Sequence, residues 1–136
     1  MSQPGVSSSN RQEIEIYAVM ADGAYVYDAK GNTLKPVVAA DLRKLTGTVA
    51  FVAEAPLNLV YVADFSKMGN GDENGKAATS NANAGFIAQN VYLFCASEGL
   101  GAVVRGSVPK AELSKALNLR PDQRIVFAQT VGHIKK

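Results

Sequence analysis

The sequence has few of the residue types on which common site chemistries depend. Cys95 is the only cysteine, His133 is the only histidine, and tryptophan is absent. A single cysteine cannot form an intrachain disulfide or a cysteine-based metal cluster, and no other feature indicates an oxidising compartment. We therefore expect a reduced, cytoplasmic setting and no metal centre.

Long apolar runs and one-sided charge are also missing. The net charge is only +2, and the lysines and arginines are scattered, which disfavours nucleic acid as a partner. The longest apolar stretches are interrupted by Gln89, Asn90 and Ser97, well short of the roughly 20 residues that a membrane helix needs. The lead MSQPGVSSSNRQE does not have the pattern of a secretory signal, although a precursor could carry one upstream. We expect no membrane partner.

Motifs of nucleophile-and-base enzymes are absent as well. The chain contains no G-x-S-x-G, no H-E-x-x-H and no G-x-x-x-x-G-K-[ST] pattern. We therefore assign no side chain a catalytic role. An enzyme built on this sequence would take its chemistry from a bound cofactor, for which the protein supplies binding and orientation.

The first half of the sequence has the patterns of strands around one helix. Residues 13–19, EIEIYAV, alternate polar and apolar side chains, and the turn at 22–23 precedes a second alternating run, which predicts a hairpin. Residues 37–47, VVAADLRKLTG, carry apolar side chains at helical spacing and end in glycine, which predicts a helix. Residues 55–65, APLNLVYVADF, are continuously apolar, as in a central strand covered on both faces.

The second half predicts a loop, two helices and two strands. Residues 69–76, GNGDENGK, have the composition of a mobile surface loop. Residues 76–99 form a proline-free segment that is apolar nearly all round between Gly85 and Ala96, so a helix there needs cover from a second subunit. A strand over 101–108, a helix over 109–119 and a strand over 124–134 follow.

Together these elements predict one α+β domain around a mixed or antiparallel sheet flanked by helices. No repeat of 20–50 residues is present. We divide the chain into a lead over residues 1–12 and a single domain over residues 13–136. The long helix is expected at the interface of a homodimer.

One polar motif, SSSNRQ, lies in that lead immediately before the first strand. On its own it is typical of a polar turn. It also resembles the Ser-Ser-x-Asn-x-Gln signature of the nitroreductase family, whose asparagine amide hydrogen-bonds the pyrimidine edge of a flavin. The resemblance implies that Asn10 contacts the cofactor and that Ser8, Ser9 and Gln12 belong to the same binding segment.

A second segment, residues 85–108, is similar to the family's dimer-interface helix, its Gly-Leu-Gly turn and the strand that follows. There the backbone approaches the flavin near N5, which implies cofactor contacts at Val104, Arg105 and Gly106. Gly106 has a physical reason to be small, since a Cβ would hold its N–H away from a planar ring. The alternative is that these glycines only end a helix and a strand.

The C-terminal residues QTVGHIKK also resemble the family, in which basic residues after this turn lie near the flavin phosphate. This implies phosphate contacts for Lys135 and Lys136, although terminal lysines are more often simply solvated. His133 is interpreted as a turn residue.

The resemblance covers the chain from Ser7 onward and is greatest to the subgroup of flavin dehydrogenases that oxidise azoline rings in modified peptides. It implies an FMN-dependent oxidoreductase that moves hydride from NADH or NADPH through flavin N5 to a quinone, a nitroaromatic or a similar acceptor. One feature departs from the family: no arginine-rich phosphate-binding segment precedes Asn10. The alternative function is therefore a flavin-free, degenerate or truncated dimer that serves as a scaffold or binds a small ligand or peptide.

Overall fold

The structure of the chain, a computed structural model, describes residues 13–69 and 71–133. The strands are β1 (Ile14–Met20), β2 (Gly23–Asp28), β3 (Thr33–Val38), β4 (Leu57–Asp64), β5 (Leu100–Arg105) and β6 (Gln123–His133). The helices are α1 (Glu73–Ser97) and α2 (Lys110–Ala116), with short 3-10 turns at Arg43–Thr46, Ala50–Ala53 and Phe65–Lys67.

The six strands form one sheet in the order β3-β2-β1-β4-β6-β5, and every neighbouring pair is antiparallel. This confirms the α+β class and the predicted hairpin of β1 and β2. It also confirms the central position of β4, which lies between β1 and β6. The sheet is antiparallel throughout and not mixed.

The helix predicted over residues 37–47 was wrong. Val37 and Val38 belong to β3, where Val38 pairs with Ala24, and only a single 3-10 turn forms at Arg43–Thr46. β-Branched residues favour a strand, and here the strand places them in a core that Leu42 also reaches from the following loop. The helical spacing arose because strand and loop contribute apolar side chains to the same core.

The loop predicted over residues 69–76 was wrong in its second half, because α1 already begins at Glu73. The Asp72 carboxylate accepts a hydrogen bond from the Gly75 N–H at 2.7 Å, which caps the first turn of the helix. At its other end, Gly99 has a φ of +70°, the left-handed conformation that commonly terminates a helix. The predicted C-terminal stop is therefore confirmed.

The sheet has one hydrophobic core on each face. On one face, Tyr61 packs with Ala84 and Ala88 of α1. On the other face, Val60 and Val62 of β4 pack with α2. Because successive side chains of a strand point to opposite faces, β4 supplies both cores, which explains its continuously apolar sequence.

The outer face of α1 carries large apolar side chains that the described residues leave uncovered. Phe86, Leu93 and Phe94 are 63%, 60% and 60% exposed, whereas Ala84, Ala88 and Cys95 on the inner face are buried. Despite its 25 residues, α1 lacks the sustained apolar character of a membrane span, as does every other helix within residues 13–69 and 71–133.

Candidate functional site

A cleft opens beside the end of β5 because β5 and β6 differ in length. β5 ends at Arg105, which pairs with Ala128, whereas β6 begins at Gln123. Residues 123–127 therefore have β4 along one side, and no strand within residues 13–69 and 71–133 lies along the other. The space between this open edge and α1 is a cleft of about 420 Å³.

The cleft combines an apolar floor with polar walls. The side chains of Ala63, Phe65 and Val126 line its floor. α1 contributes Asn74, Ser80 and Asn81, and Lys110 and Arg124 add positive charge. A volume and composition of this kind suit a flat organic ligand with polar edges.

A bulge in β6 helps to shape that floor. Tyr61 pairs with Phe127 and Val62 with Ile125, so Val126 is an extra residue without a partner on β4. Such an insertion disrupts the alternation of side chains, and Val126 and Phe127 both pack on the α1 side of the sheet. The bulge thus keeps Val126 on the face where the cleft opens.

The three predicted cofactor contacts at the end of β5, Val104, Arg105 and Gly106, have different environments in the structure. The Val104 N–H donates to the Tyr92 hydroxyl at 2.6 Å, so that donor is already used by α1. The Arg105 side chain is buried on the opposite face of the sheet. Gly106 is exposed, and a Cβ built on it would meet no atom within 4 Å. Of the three residues, Gly106 offers the most accessible backbone.

Six predicted cofactor contacts lie outside the described residues. They are Ser8, Ser9, Asn10, Gln12, Lys135 and Lys136. That these six residues line one cleft together with Gly106 remains a prediction.

Arg105 is the centre of a buried polar network that the sequence did not reveal. Its Nε donates to Thr130 Oγ1 at 2.9 Å, its Nη1 to the Thr46 carbonyl at 2.6 Å, and its Nη2 to Asn58 Oδ1 at 3.2 Å. These acceptors are all neutral, and burial lowers the pKa of Arg105 below its usual value. The network ties the end of β5 to the 3-10 turns before β4.

Two further contacts complete this attachment. Asn58 Nδ2 donates to the Val52 carbonyl at 2.9 Å, and the Arg105 guanidinium lies over the Phe51 ring at 6.0 Å. Gly47 is also required, because a Cβ there would lie 2.0 Å from Arg105 Nη1. The loop before β4 is thus built around one guanidinium group.

A second buried polar contact lies directly after the SSSNRQ motif. Glu13 is 1% exposed, and its carboxylate accepts a hydrogen bond from Asn83 Nδ2 of α1 at 2.7 Å. Its carbonyl accepts from the Asp64 N–H at 2.8 Å. The residue that follows Gln12 is therefore fixed between α1 and the sheet. The alternating sequence gave no sign of this, because a polar position in such a strand normally faces solvent.

We expect Asn83→Ala to lower the free energy of unfolding by about 2 to 4 kcal/mol, because the buried Glu13 carboxylate would lose its amide donor. Asn81→Ala is the matched control, since Asn81 is exposed on the same helix and lies away from its apolar outer face. Its effect should stay within about 0.5 kcal/mol. Urea unfolding of both variants makes the comparison. Equal effects would mean that the Glu13–Asn83 contact contributes nothing specific.

Comparison with known proteins identifies the group to which this fold and cleft belong. The sequence profile of the Nitroreductase family matches residues 7–133, nearly the whole chain. The chain belongs to the nitroreductase family. The match includes the SSSNRQ motif, the cleft and Gly106, so the family resemblance inferred from the motifs is confirmed at this level.

Several solved structures share this fold. A candidate nitroreductase from Ralstonia eutropha JMP134 is 38% identical, with a TM-score of 0.88 over 96% of this chain and 62% of that one. The NADPH:FMN oxidoreductase from Vibrio harveyi, complexed with NAD+, is 24% identical with a TM-score of 0.71, over 96% and 54% of the two chains. A chain of the E. coli microcin synthetase complex is 19% identical with a TM-score of 0.83, over 96% of this chain and 55% of that one.

The two lower identities show the likeness of fold alone. The chain spans less than two thirds of each of these three relatives. None of the curated proteins compared with the chain matches it.

Proposed function

We propose that this chain binds FMN and serves as an oxidoreductase of the nitroreductase type. The observation that carries the proposal is the cleft between α1 and the open edge of β6 in a member of this family. When bound, FMN would accept hydride from NADH or NADPH at N5 and reduce a quinone, a nitroaromatic or a similar acceptor.

The residues of the cleft fit the ring of a flavin. The apolar floor made by Phe65 and Val126 suits a planar aromatic system, and the volume of about 420 Å³ lies within the range of small-molecule sites. Asn74 and Asn81 carry amides that can both donate and accept hydrogen bonds, as the polar edge of the ring requires. These features support the FMN proposal over a purely structural role.

The side chains of this protein would bind and orient the cofactor and would not take part in bond-breaking steps. Asn10 is proposed to hold the pyrimidine edge of the ring, and the Gly106 backbone would approach the N5 edge without obstruction by a Cβ. The contact of Glu13 with Asn83 fixes the residue that follows the Asn10 segment. Burial raises the pKa of the Cys95 thiol, which keeps it protonated and poorly nucleophilic.

We also propose that the functional unit is a homodimer joined through α1. Phe86, Leu93 and Phe94 form an exposed apolar stripe along its outer face, and apolar patches of this kind commonly mark protein interfaces. A second copy of the chain would cover the stripe with an equivalent one, as a two-fold interface requires.

A specific observation favours a second candidate, a flavin-free scaffold. The Val104 N–H already donates to the Tyr92 hydroxyl, and the Arg105 side chain is buried in its own polar network, so neither group is available to a flavin without rearrangement. Lys135 and Lys136 would add only weak phosphate contacts, because a lysine presents a point charge and not a bidentate guanidinium. This candidate keeps the fold and the dimer without the cofactor.

Titration with FMN separates the two candidates. We expect binding with a dissociation constant of tens of micromolar or weaker, measured by quenching of flavin fluorescence. Charge-assisted hydrogen bonds contribute about 1.5–3 kcal/mol each, so a phosphate bound mainly by lysine point charges is held roughly 10- to 100-fold more weakly than one bound by bidentate arginines. Asn10→Ala should weaken it further. Absence of quenching at millimolar FMN would favour the scaffold, and a submicromolar constant would show that another group binds the phosphate strongly.

A further inference from the structure

The cleft has an uneven distribution of charge. Three charged side chains line it: Glu73, Lys110 and Arg124. Glu73 and Arg124 form an ion pair at 2.9 Å. Lys110 has no ion-pair partner within residues 13–69 and 71–133. One positive charge therefore remains available to a ligand in the cleft.

The second cation of the cleft is held in a fixed orientation. Arg124 Nε donates to the Pro121 carbonyl at 3.1 Å, Nη2 donates to Glu73, and the guanidinium lies over the Phe65 ring at 5.3 Å. Among the described residues Nη1 makes no hydrogen bond. Its two N–H groups can therefore donate to a ligand without disturbing the ion pair.

The backbone of Lys110 is also well anchored. The Val108 N–H donates to the Gly106 carbonyl at 2.9 Å, which keeps the start of α2 close to the end of β5. Leu113, one turn further along α2, is fully buried in the core, and its N–H donates to the Pro109 carbonyl at 3.0 Å. Lys110 thus extends a flexible, charged side chain from a rigid base at the rim of the cleft.

We propose that Lys110, together with Nη1 of Arg124, binds a phosphate monoester of the ligand whose ring occupies the apolar floor. The inference rests on the proposed function and deepens it. Lysine is a compact point charge suited to phosphate, and the planar guanidinium beside it adds directional donors. The phosphate is either that of FMN or the 2′-phosphate of NADPH, and the chemistry of recognition is the same for both.

Riboflavin, which lacks the phosphate of FMN, provides the test. We expect the unmodified chain to bind FMN on the order of 10²-fold more tightly than riboflavin, the effect of two charge-assisted contacts. Lys110→Ala should lower this ratio about tenfold, the effect of one such contact, and leave riboflavin binding unchanged. Lys115→Ala is the matched control, because Lys115 is exposed on the same helix and does not line the cleft. Added salt should reduce the FMN preference more steeply in the control than in Lys110→Ala, which keeps only the Arg124 contact.

The remaining outcomes separate the two phosphate sources and the two proposals. If Lys110→Ala keeps the FMN preference but loses a preference for NADP+ over NAD+ in calorimetry, the phosphate is that of the nucleotide and the inference holds. If Lys110→Ala matches Lys115→Ala in both ratios, the inference is overturned while flavin binding stands. If the unmodified chain binds neither FMN nor riboflavin, the proposed function is overturned and the inference with it.

Discussion

Gly47→Ala is expected to lower the free energy of unfolding by about 3 kcal/mol, because the added methyl group would overlap the buried Arg105 guanidinium. The new Cβ would lie 2.0 Å from Nη1. Gly47 has a φ of −176°, an extended conformation that any residue adopts, so the backbone itself does not oppose the change. The expected destabilisation is therefore steric.

The guanidinium cannot move aside without breaking its own contacts. It is held by Thr130, the Thr46 carbonyl and Asn58, and the new Cβ would also lie 3.1 Å from a methyl group of Val52. A shift large enough to admit the methyl group would leave buried acceptors without donors, which adds to the steric cost.

A double-mutant cycle identifies the cause. In an Arg105→Ala background the space beside Gly47 is free, so Gly47→Ala should have little further effect. Gly132→Ala is the control, because its Cβ would meet Pro56 at 3.5 Å, an ordinary contact. Urea unfolding of the four chains and the control gives the coupling energy. Equal destabilisation by Gly47→Ala in both backgrounds would contradict the steric explanation.

Phe94→Glu is expected to convert the proposed homodimer into a monomer at micromolar concentration. Phe94 lies on the outer face of α1 and is 60% exposed, so in the dimer the new carboxylate would be buried without a partner. A loss on the order of 10³-fold in dimer affinity follows from the cost of burying such a charge. Light scattering or sedimentation of the purified variant measures it.

A matched pair of leucines distinguishes loss of the interface from loss of the fold. Leu93→Glu changes the apolar stripe of α1. Leu34→Glu is the control, because it changes an exposed leucine on the edge strand β3, outside that stripe. We expect Leu93→Glu alone to change the oligomeric mass and both variants to keep the circular dichroism of a folded chain. A clean monomer mass for the unmodified chain would remove the homodimer proposal.

Elements that depend on local pattern were predictable from the sequence, and elements that depend on tertiary context were not. The hairpin, β4 and most of α1 follow from alternation, continuous apolarity and the absence of proline. β3 was missed because Val37 and Val38 share one core with Leu42, which imitates helical spacing. The start of α1 was missed because its cap, Asp72, lies in a segment rich in glycine and asparagine.

The candidate site was only partly accessible from the sequence. Gly106 was predicted through family resemblance, but the Arg105 network joins residues that are 25, 47 and 59 positions away in the chain. Glu13 and Asn83 are separated by 70 positions. The cleft has no sequence motif of its own. It results from the first residues of β6, 123–127, lying beyond the point where the pairing with β5 ends. Such features require the topology, which no local pattern contains.

The hydrogen bond from Val104 to the Tyr92 hydroxyl bears on how the chain avoids aggregation. A free N–H on an outer strand is a template on which another chain can add a strand and begin a fibril. On β5 the Val104 donor is occupied by Tyr92, and on β3, at the other edge, Pro36 has no N–H to offer. Both edges of the sheet thus discourage the addition of a further strand, which leaves the outer face of α1 as the surface for the proposed contact between two copies.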